Sequence, residues 1–366
     1  MSDPRIDPSQ PVLLERRKPL RERIDAMIPK ALARRAGVLV VLWRRPLARL
    51  GIVVAVGLVA LALFADVIAS DKPIAARIDG ELYVLPAWFD PPALRAHDNQ
   101  SLEASLAAGD WAWMPLVPFG PLQSSIDGRV EPLSPPSGRH PLGTDDRGRD
   151  VLARVAHGAR ISLSIGLSAV GLYLLIGVTL GGLAGFYGGI VDALVSRAIE
   201  VLLSFPSLVF LLAVQGIAAS SGVLHLVLVL GLTRWTDVAR LVRAEVLRAR
   251  EQDYVLAAHA LGVTPLRILL RHVLPASLGP AFVVATFGIA AAVLVESALS
   301  FLGFGPPPPT PTWGELLAQA REHRDAWWLA VFPGLCVFLT ALSFHLIGES
   351  LRDAYDPRLR TGRAKQ

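Results

Sequence analysis

Apolar residues run far beyond the length of a strand at six places, residues 47–68, 161–185, 199–219, 222–239, 278–301 and 327–348. Each run holds about 18 residues or more, enough to cross a hydrocarbon core of ~30 Å as a helix, so the pattern predicts an all-α polytopic chain with six transmembrane helices. The fourth run opens with Val223, Leu224, Leu226, Val227, Leu228, Val229 and Leu230 and then meets Arg234, Asp237 and Arg240. Its last turns are therefore expected to emerge into water or protein. The chain divides into a polar segment 1–46, a first span 47–68, an insert 69–160, a five-helix core 161–348 containing a polar loop at 240–277, and a tail 349–366. In the first segment Ile24, Met27, Ile28, Ala31 and Leu32 have the spacing of a surface helix, interrupted at Pro29. The insert has no span-length run but carries Tyr83, Trp88, Trp111 and Trp113, aromatics enough for a modest core of its own.

Composition agrees with this pattern, with 52% hydrophobic residues, 18% charged residues and a mean hydropathy of +0.47. The net charge of +5 follows membrane topology rather than a nucleic-acid footprint, because basic residues gather beside apolar runs: twelve within 1–49, seven within 234–277 and five within 349–366. That bias places both termini and the 240–277 loop in the cytoplasm, and the insert and residues 302–326 on the opposite side. The first run follows ~46 residues, too many for a cleavable signal, so it is expected to remain as an anchor. Cys336 is the single cysteine, which excludes an intramolecular disulfide and a cysteine metal cluster. None of the four lysines follows a glycine, so the Gly-Lys pair of a phosphate-cradling loop is missing and energy from ATP must enter through other chains.

The 240–277 loop carries the most specific signal. Gly262 permits a left-handed helix end, Thr264 suits an N-cap and Pro265 suits the first position of a new helix, so two short helices should meet at a rigid corner. Ala257-Ala258, Gly262 four residues later and Leu274-Pro275 beyond it resemble the cytoplasmic loop of ABC-importer permeases. Four further stretches resemble the dipeptide and oligopeptide branch of that family: His140 to Ser162, Gly185 to Asp192, Glu296 to Gly305, and Leu351 to Pro357. The insert from Ser70 through Asp79-Gly80 and Tyr83 is similar to that of a subgroup whose members import oligopeptides and microcin C, with related systems tied to cell-wall peptides.

The resemblance implies a type I permease fold in a bacterial inner membrane. It implies a second homologous permease, two ATP-binding subunits or one tandem subunit, and a periplasmic solute-binding protein. ATP and magnesium would be held by the ATP-binding subunits, with no cofactor in this chain. Ala257, Ala258, Gly262, Leu274 and Pro275 would form the coupling loop, although Leu256 stands where the family usually has an acidic residue.

Other polar residues in the apolar runs read more simply. Glu296 and Gln215 could line a solute path or bond neighbouring helices, and Thr286 has the same two readings. His225 and His345 lack companions at ligand spacing, so no metal site is expected. Asp145, Asp146 and Asp150 interleave with Arg147, Arg149 and Arg154, which fits internal ion pairing better than calcium. Trp43 and Trp327-Trp328 fit an interfacial aromatic belt. Gly166, Gly171, Gly177, Gly181, Gly182 and Gly185 would let helices approach closely, whether for packing or for gating. An ion-coupled carrier would need more charge deep in its spans, and a membrane hydrolase would need a Gly-x-Ser-x-Gly or His-Glu-x-x-His segment; the chain has neither segment.

Overall fold

A computed structural model describes residues 42–43, 45–95, 97–107, 109–124, 131–217 and 222–355. The surface helix expected around 24–32 and the Asp356-Pro357 end of the tail lie outside the described residues. Ten helices carry the fold: α1 Pro46–Leu63, α2 Val151–Tyr187, α3 Gly189–Leu203, α4 Ser207–Ile217, α5 Val223–Arg250, α6 Asp253–Ala260, α7 Pro265–Ile268, α8 Leu274–Phe301, α9 Trp313–Glu322 and α10 Trp328–Tyr355.

All six apolar runs fall on helices, but they are not six equal spans. Among the described residues four segments are long and apolar enough to cross a membrane: α1, α2, Pro265–Phe301 and α10. The third run breaks at Ser204–Pro206, and α3 and α4 meet at 86°, forming a bent span or a re-entrant pair. The break has a local cause, since Pro206 lacks the N–H that would continue the helix. The fourth run does form a helix, α5, but it continues unbroken to Arg250, and its charges keep it outside the composition of a span. Past Arg234 the helix packs one side on α2 as far as Val246 and leaves Asp237 and Arg240 exposed on the other.

The bundle is organised by a line of glycines. Gly177, Gly181 and Gly185 recur every four residues on one face of α2, opposite Trp235, Ala239 and Arg243 at the same spacing on α5. A Cβ at Gly177 would lie 2.6 Å from Val238 Cβ, and one at Gly185 would lie 2.7 Å from the Arg243 carbonyl oxygen. The two backbones thus run parallel at contact distance, which small residues alone allow. At one end of the bundle Arg45 pairs with Asp353, joining α1 to α10, and Arg243 Nη2 donates to Asp192 Oδ2 at 2.6 Å. At the other end Asp66, just beyond α1, accepts from Arg160 Nη2 at 2.9 Å and lies 3.1 Å from His157 Nε2.

The insert is less helical than its surroundings. Strands β1 Ala75–Ile78, β2 Glu81–Val84 and β3 Trp111–Trp113 form an antiparallel sheet in the order β2-β1-β3. Asp79 and Gly80, at φ 51° and 83°, make the two-residue hairpin turn that matches sheet twist. A short helix Asn99–Ser105 is closed by a capping box between Asp98 and Ser101. Burial raises the Asp98 carboxyl, but the Ser101 bonds and nearby Lys72 outweigh it and hold the carboxyl below its usual range. The expected aromatic core does not form: Trp88, Trp111 and Trp113 are 60%, 45% and 65% exposed. Their register explains this for the sheet, because Trp111 and Trp113 stand opposite Arg77 and Ala75 and so share one uncovered face with Leu82 and Val84. The core beneath is instead Ala69, Val117 and Phe119 packed on Ala153 of α2.

Candidate functional site

The segment from α6 to the start of α8 forms the rigid corner that its sequence suggested. α6 ends at Gly262, φ +75°, where the Gly262 N–H donates to the His259 carbonyl at 2.9 Å and the Val263 N–H to the Ala258 carbonyl at 3.2 Å. Those two bonds are the paired closure of a helix C-terminus and require the left-handed backbone that glycine supplies. A Cβ on Gly262 would meet nothing within 4 Å, so the constraint there is conformational and not steric. Thr264 is extended at φ −61° and ψ 141° and Pro265 opens α7, yet the Thr264 hydroxyl makes no capping bond. A single π-turn, Leu269–Val273, then feeds into α8, with Leu274 and Pro275 in its first turn.

The corner has two faces. Val255, Ala258, Ile268, Leu269 and Val273 are buried in one cluster with Ala184, Ile199, Val242 and Val246 of the bundle. Arg250 Nη1 donates to the Gly185 carbonyl at 3.1 Å, and the His259 ring stacks on Phe186. The other face is uncovered and mixed, with Tyr254, Leu256, Leu261, Leu266 and Leu270 exposed, Leu261 to 82%, beside exposed Asp253, Arg267 and Arg271. Exposed leucines gathered on a fixed projection are what protein, membrane or ligand contact sites share. Ala257, Ala258, Gly262, Leu274 and Pro275 all lie in this unit, Ala257 on the outer face and Ala258 on the inner one.

The opposite end of the bundle holds charge in the interior. Asp145 Oδ1 accepts the Arg147 and Arg149 backbone N–H groups at 2.9 Å each, and its Oδ2 accepts Arg149 Nε at 2.6 Å and lies 3.3 Å from Arg154 Nε. Arg154 also pairs with Glu315 at the start of α9, and Gln319 Nε2 donates to Glu315 Oε1 at 2.6 Å. Internal ion pairing was the expectation for this run, and Asp145 meets it. Asp150 differs: one oxygen caps α2 through the Ala153 N–H at 2.8 Å and the other lies 2.8 Å from His140 Nδ1. Glu315 was not among the expected partners, because it comes from a segment 161 residues away. Thr312 and Glu315 do carry the spacing of a helix start, and the Glu315 N–H donates to Thr312 Oγ1 at 3.1 Å.

The two expected path residues are both engaged in helix packing. Glu296 is fully buried, accepting from Ser300 Oγ at 2.8 Å. Gln215 Nε2 donates to the Phe304 carbonyl at 3.1 Å. Thr286 donates to the Phe282 carbonyl of its own helix, and His345 packs edge-on against Phe287. Of the tryptophans expected at an interface, Trp43 and Trp327 are exposed, whereas Trp328 is buried and its Nε1 donates to the Thr144 carbonyl at 2.9 Å.

Apolar helices in close parallel contact, with a helical corner fixed beyond one end, define a multi-pass membrane subunit of the permease class. Residues 177–361 match the family described as binding-protein-dependent transport system inner membrane component, and the chain belongs to that family. It is similar to the dipeptide transport system permease protein DppC of Alkalihalophilus pseudofirmus, 40% identical over 230 residues, which are 63% of this chain and 75% of that protein. It is also similar to the oligopeptide transport system permease protein OppC of Bacillus subtilis, 36% identical over 247 residues, 66% of this chain and 81% of that one. The solved MetNI methionine ABC transporter in an inward-facing form aligns over 56% of this chain and 97% of its own, at 19% identity and a TM-score of 0.45.

Proposed function

We propose that this chain is one of two permease subunits of an ATP-driven importer for oligopeptides or peptide-like solutes, microcin C and cell-wall peptides among them. The carrying observation is the corner around Gly262, anchored inward by Val255, Ala258 and Ile268 and presenting exposed Leu256, Leu261 and Leu266 outward. Relatives named as dipeptide and oligopeptide permeases support the solute class. The resemblance of the 70–83 stretch to the long-insert subgroup supports the finer choice.

In this reading the corner faces the cytoplasm and docks on an ATP-binding subunit, which holds ATP and magnesium. Closure of the ATP-binding pair pushes the corner, and because its inner face shares one apolar cluster with α2, α3, α5 and the α7–α8 junction, the push reaches the spans as a rigid-body tilt. A solute-binding protein delivers the peptide from the other side, where the insert and the Asp145 network lie. The test is the number of ATP molecules hydrolysed per peptide imported by reconstituted importer carrying Gly262→Leu. Insertion and assembly should survive while the ratio rises several-fold; an unchanged ratio contradicts the coupling role.

A further inference from the structure

α5 carries Arg234, Asp237 and Arg240 along the stretch that packs beside the spans α2 and α8. Arg234 precedes Arg243 by nine residues, about 14 Å of helix rise, and Arg243 pairs with Asp192 at the α2–α3 turn. Beside it at the same level stand Tyr173, fifteen residues before the Gly188 turn, and Phe287 and Gly288 in the middle of α8. A charge facing lipid at mid-span costs ~2.5–3.5 kcal/mol on insertion scales.

These charges are nonetheless open to the outside of the chain. The Asp237 and Arg240 side chains are 51% and 58% exposed and pair with each other at 3.3 Å, one turn apart. Arg234 makes no hydrogen bond or ion pair among the described residues. Charged groups near the middle of a helix cannot snorkel to an interface as terminal ones do. Acyl chains are therefore a poor cover for this face of α5, and water or polar groups a good one.

A cavity of about 180 Å³ opens on that face between α2, α5 and α8. Arg234 and Asp237 stand on its α5 wall, and Leu230, Val284, Phe287 and Val295 give it apolar sides. Side chains at i and i+3 of a helix have Cβ atoms about 5–6 Å apart, close to the ~7 Å between the ends of an extended dipeptide. The planar Arg guanidinium suits a carboxylate in two parallel hydrogen bonds. Asp237 suits an ammonium, and its pair with Arg240 is solvent-open and weak enough to exchange. Glu296 and Gln215, turned into helix packing, are not on this cavity.

We propose that Arg234 and Asp237 are the solute-binding pair of the translocation path, holding the carboxylate and the ammonium of a short zwitterionic peptide whose side chain rests against Phe287. The proposal rests on the importer reading and concerns the short end of its solute range, peptides of about two residues whose two terminal charges both reach the pair.

The test uses the complete importer in proteoliposomes, with dialanine, its C-terminal amide and its N-acetyl form as probes. Wild type should import dialanine about tenfold faster than either blocked form, ~1.4 kcal/mol of discrimination. Arg234→Gln should erase the preference over the amide, Arg234→Lys should retain part of it, and Asp237→Asn should erase the preference over the acetyl form. Equal import of all three probes by wild type overturns the pair while leaving the importer reading intact. A second arm places Ala291→Cys, on the α8 wall of the cavity, in a Cys336→Ser background and measures labelling by a membrane-impermeant thiol reagent in the assembled importer. Labelling that dialanine slows supports the site. Labelling only by a lipid-soluble reagent overturns its place on the path, whatever the solute. Labelling without import of any probe overturns peptide recognition itself.

Discussion

The two ends of this bundle are fixed by opposite means. At the Trp313 end, Asp145, Arg149 and Arg154 are almost wholly buried and close a network with Glu315, so charge is sequestered and the surface gains nothing from it. At the Gly262 end the corner's interior is apolar, Val255, Ala258, Ile268 and Val273, the ion pairs Arg45–Asp353 and Arg243–Asp192 beside it are part-exposed, and further apolar side chains are left outside. A buried ion network is unforgiving, because removal of one member leaves an uncompensated charge. A corner with an exposed outer face can be moved or covered without such a cost. The first end resists substitution, and the second leaves side chains free for contact.

The comparison breaks first at Arg154. Arg154→Met should destabilise the chain by ~3–5 kcal/mol, because Asp145 and Glu315 would remain buried with Arg149 as their one close guanidinium. Thermal unfolding in detergent measures this, and a loss under ~1 kcal/mol would mean that the network is not what fixes this end. Next is the glycine line joining the two ends. Gly181→Leu places a side chain against the Ala239 backbone and should cost ~1–3 kcal/mol by overpacking, read as a lower unfolding temperature with the α2–α5 contact disrupted. The smallest effect is expected at Thr264. An N-cap threonine replaced by alanine usually costs ~1 kcal/mol, but this hydroxyl caps nothing, so Thr264→Ala should leave both stability and ATP coupling almost unchanged. A full capping loss there would show that the hydroxyl bonds in another state of the corner.

Local rules carried far along this chain and failed where distance entered. The corner was legible because Gly262 and Pro265 each act on their own backbone, although the Thr264 hydroxyl makes no capping bond, and the α2 glycines because small residues let two helices approach. The partner of Arg154 was not legible, since Glu315 reaches it across 161 residues and depends on where α9 docks. The aromatics of the insert misled for a related reason: composition says how much apolar surface exists, while the β1 register decides that Trp111 and Trp113 face outward. The six spans blurred at Pro206, where the helix breaks, and at Arg234, where charge entered a helix that nevertheless continued to Arg250.

The claim that the corner is where an ATP-binding subunit takes hold is tested most directly by site-directed crosslinking. In a Cys336→Ser background, a cysteine replaces exposed Ala257 in α6 or exposed Glu103 in the insert, and each is carried through assembly of the complete importer. The account predicts an ATP-sensitive adduct between position 257 and the ATP-binding subunit and none from position 103. An assembled, transporting complex in which position 257 gives no adduct would contradict it.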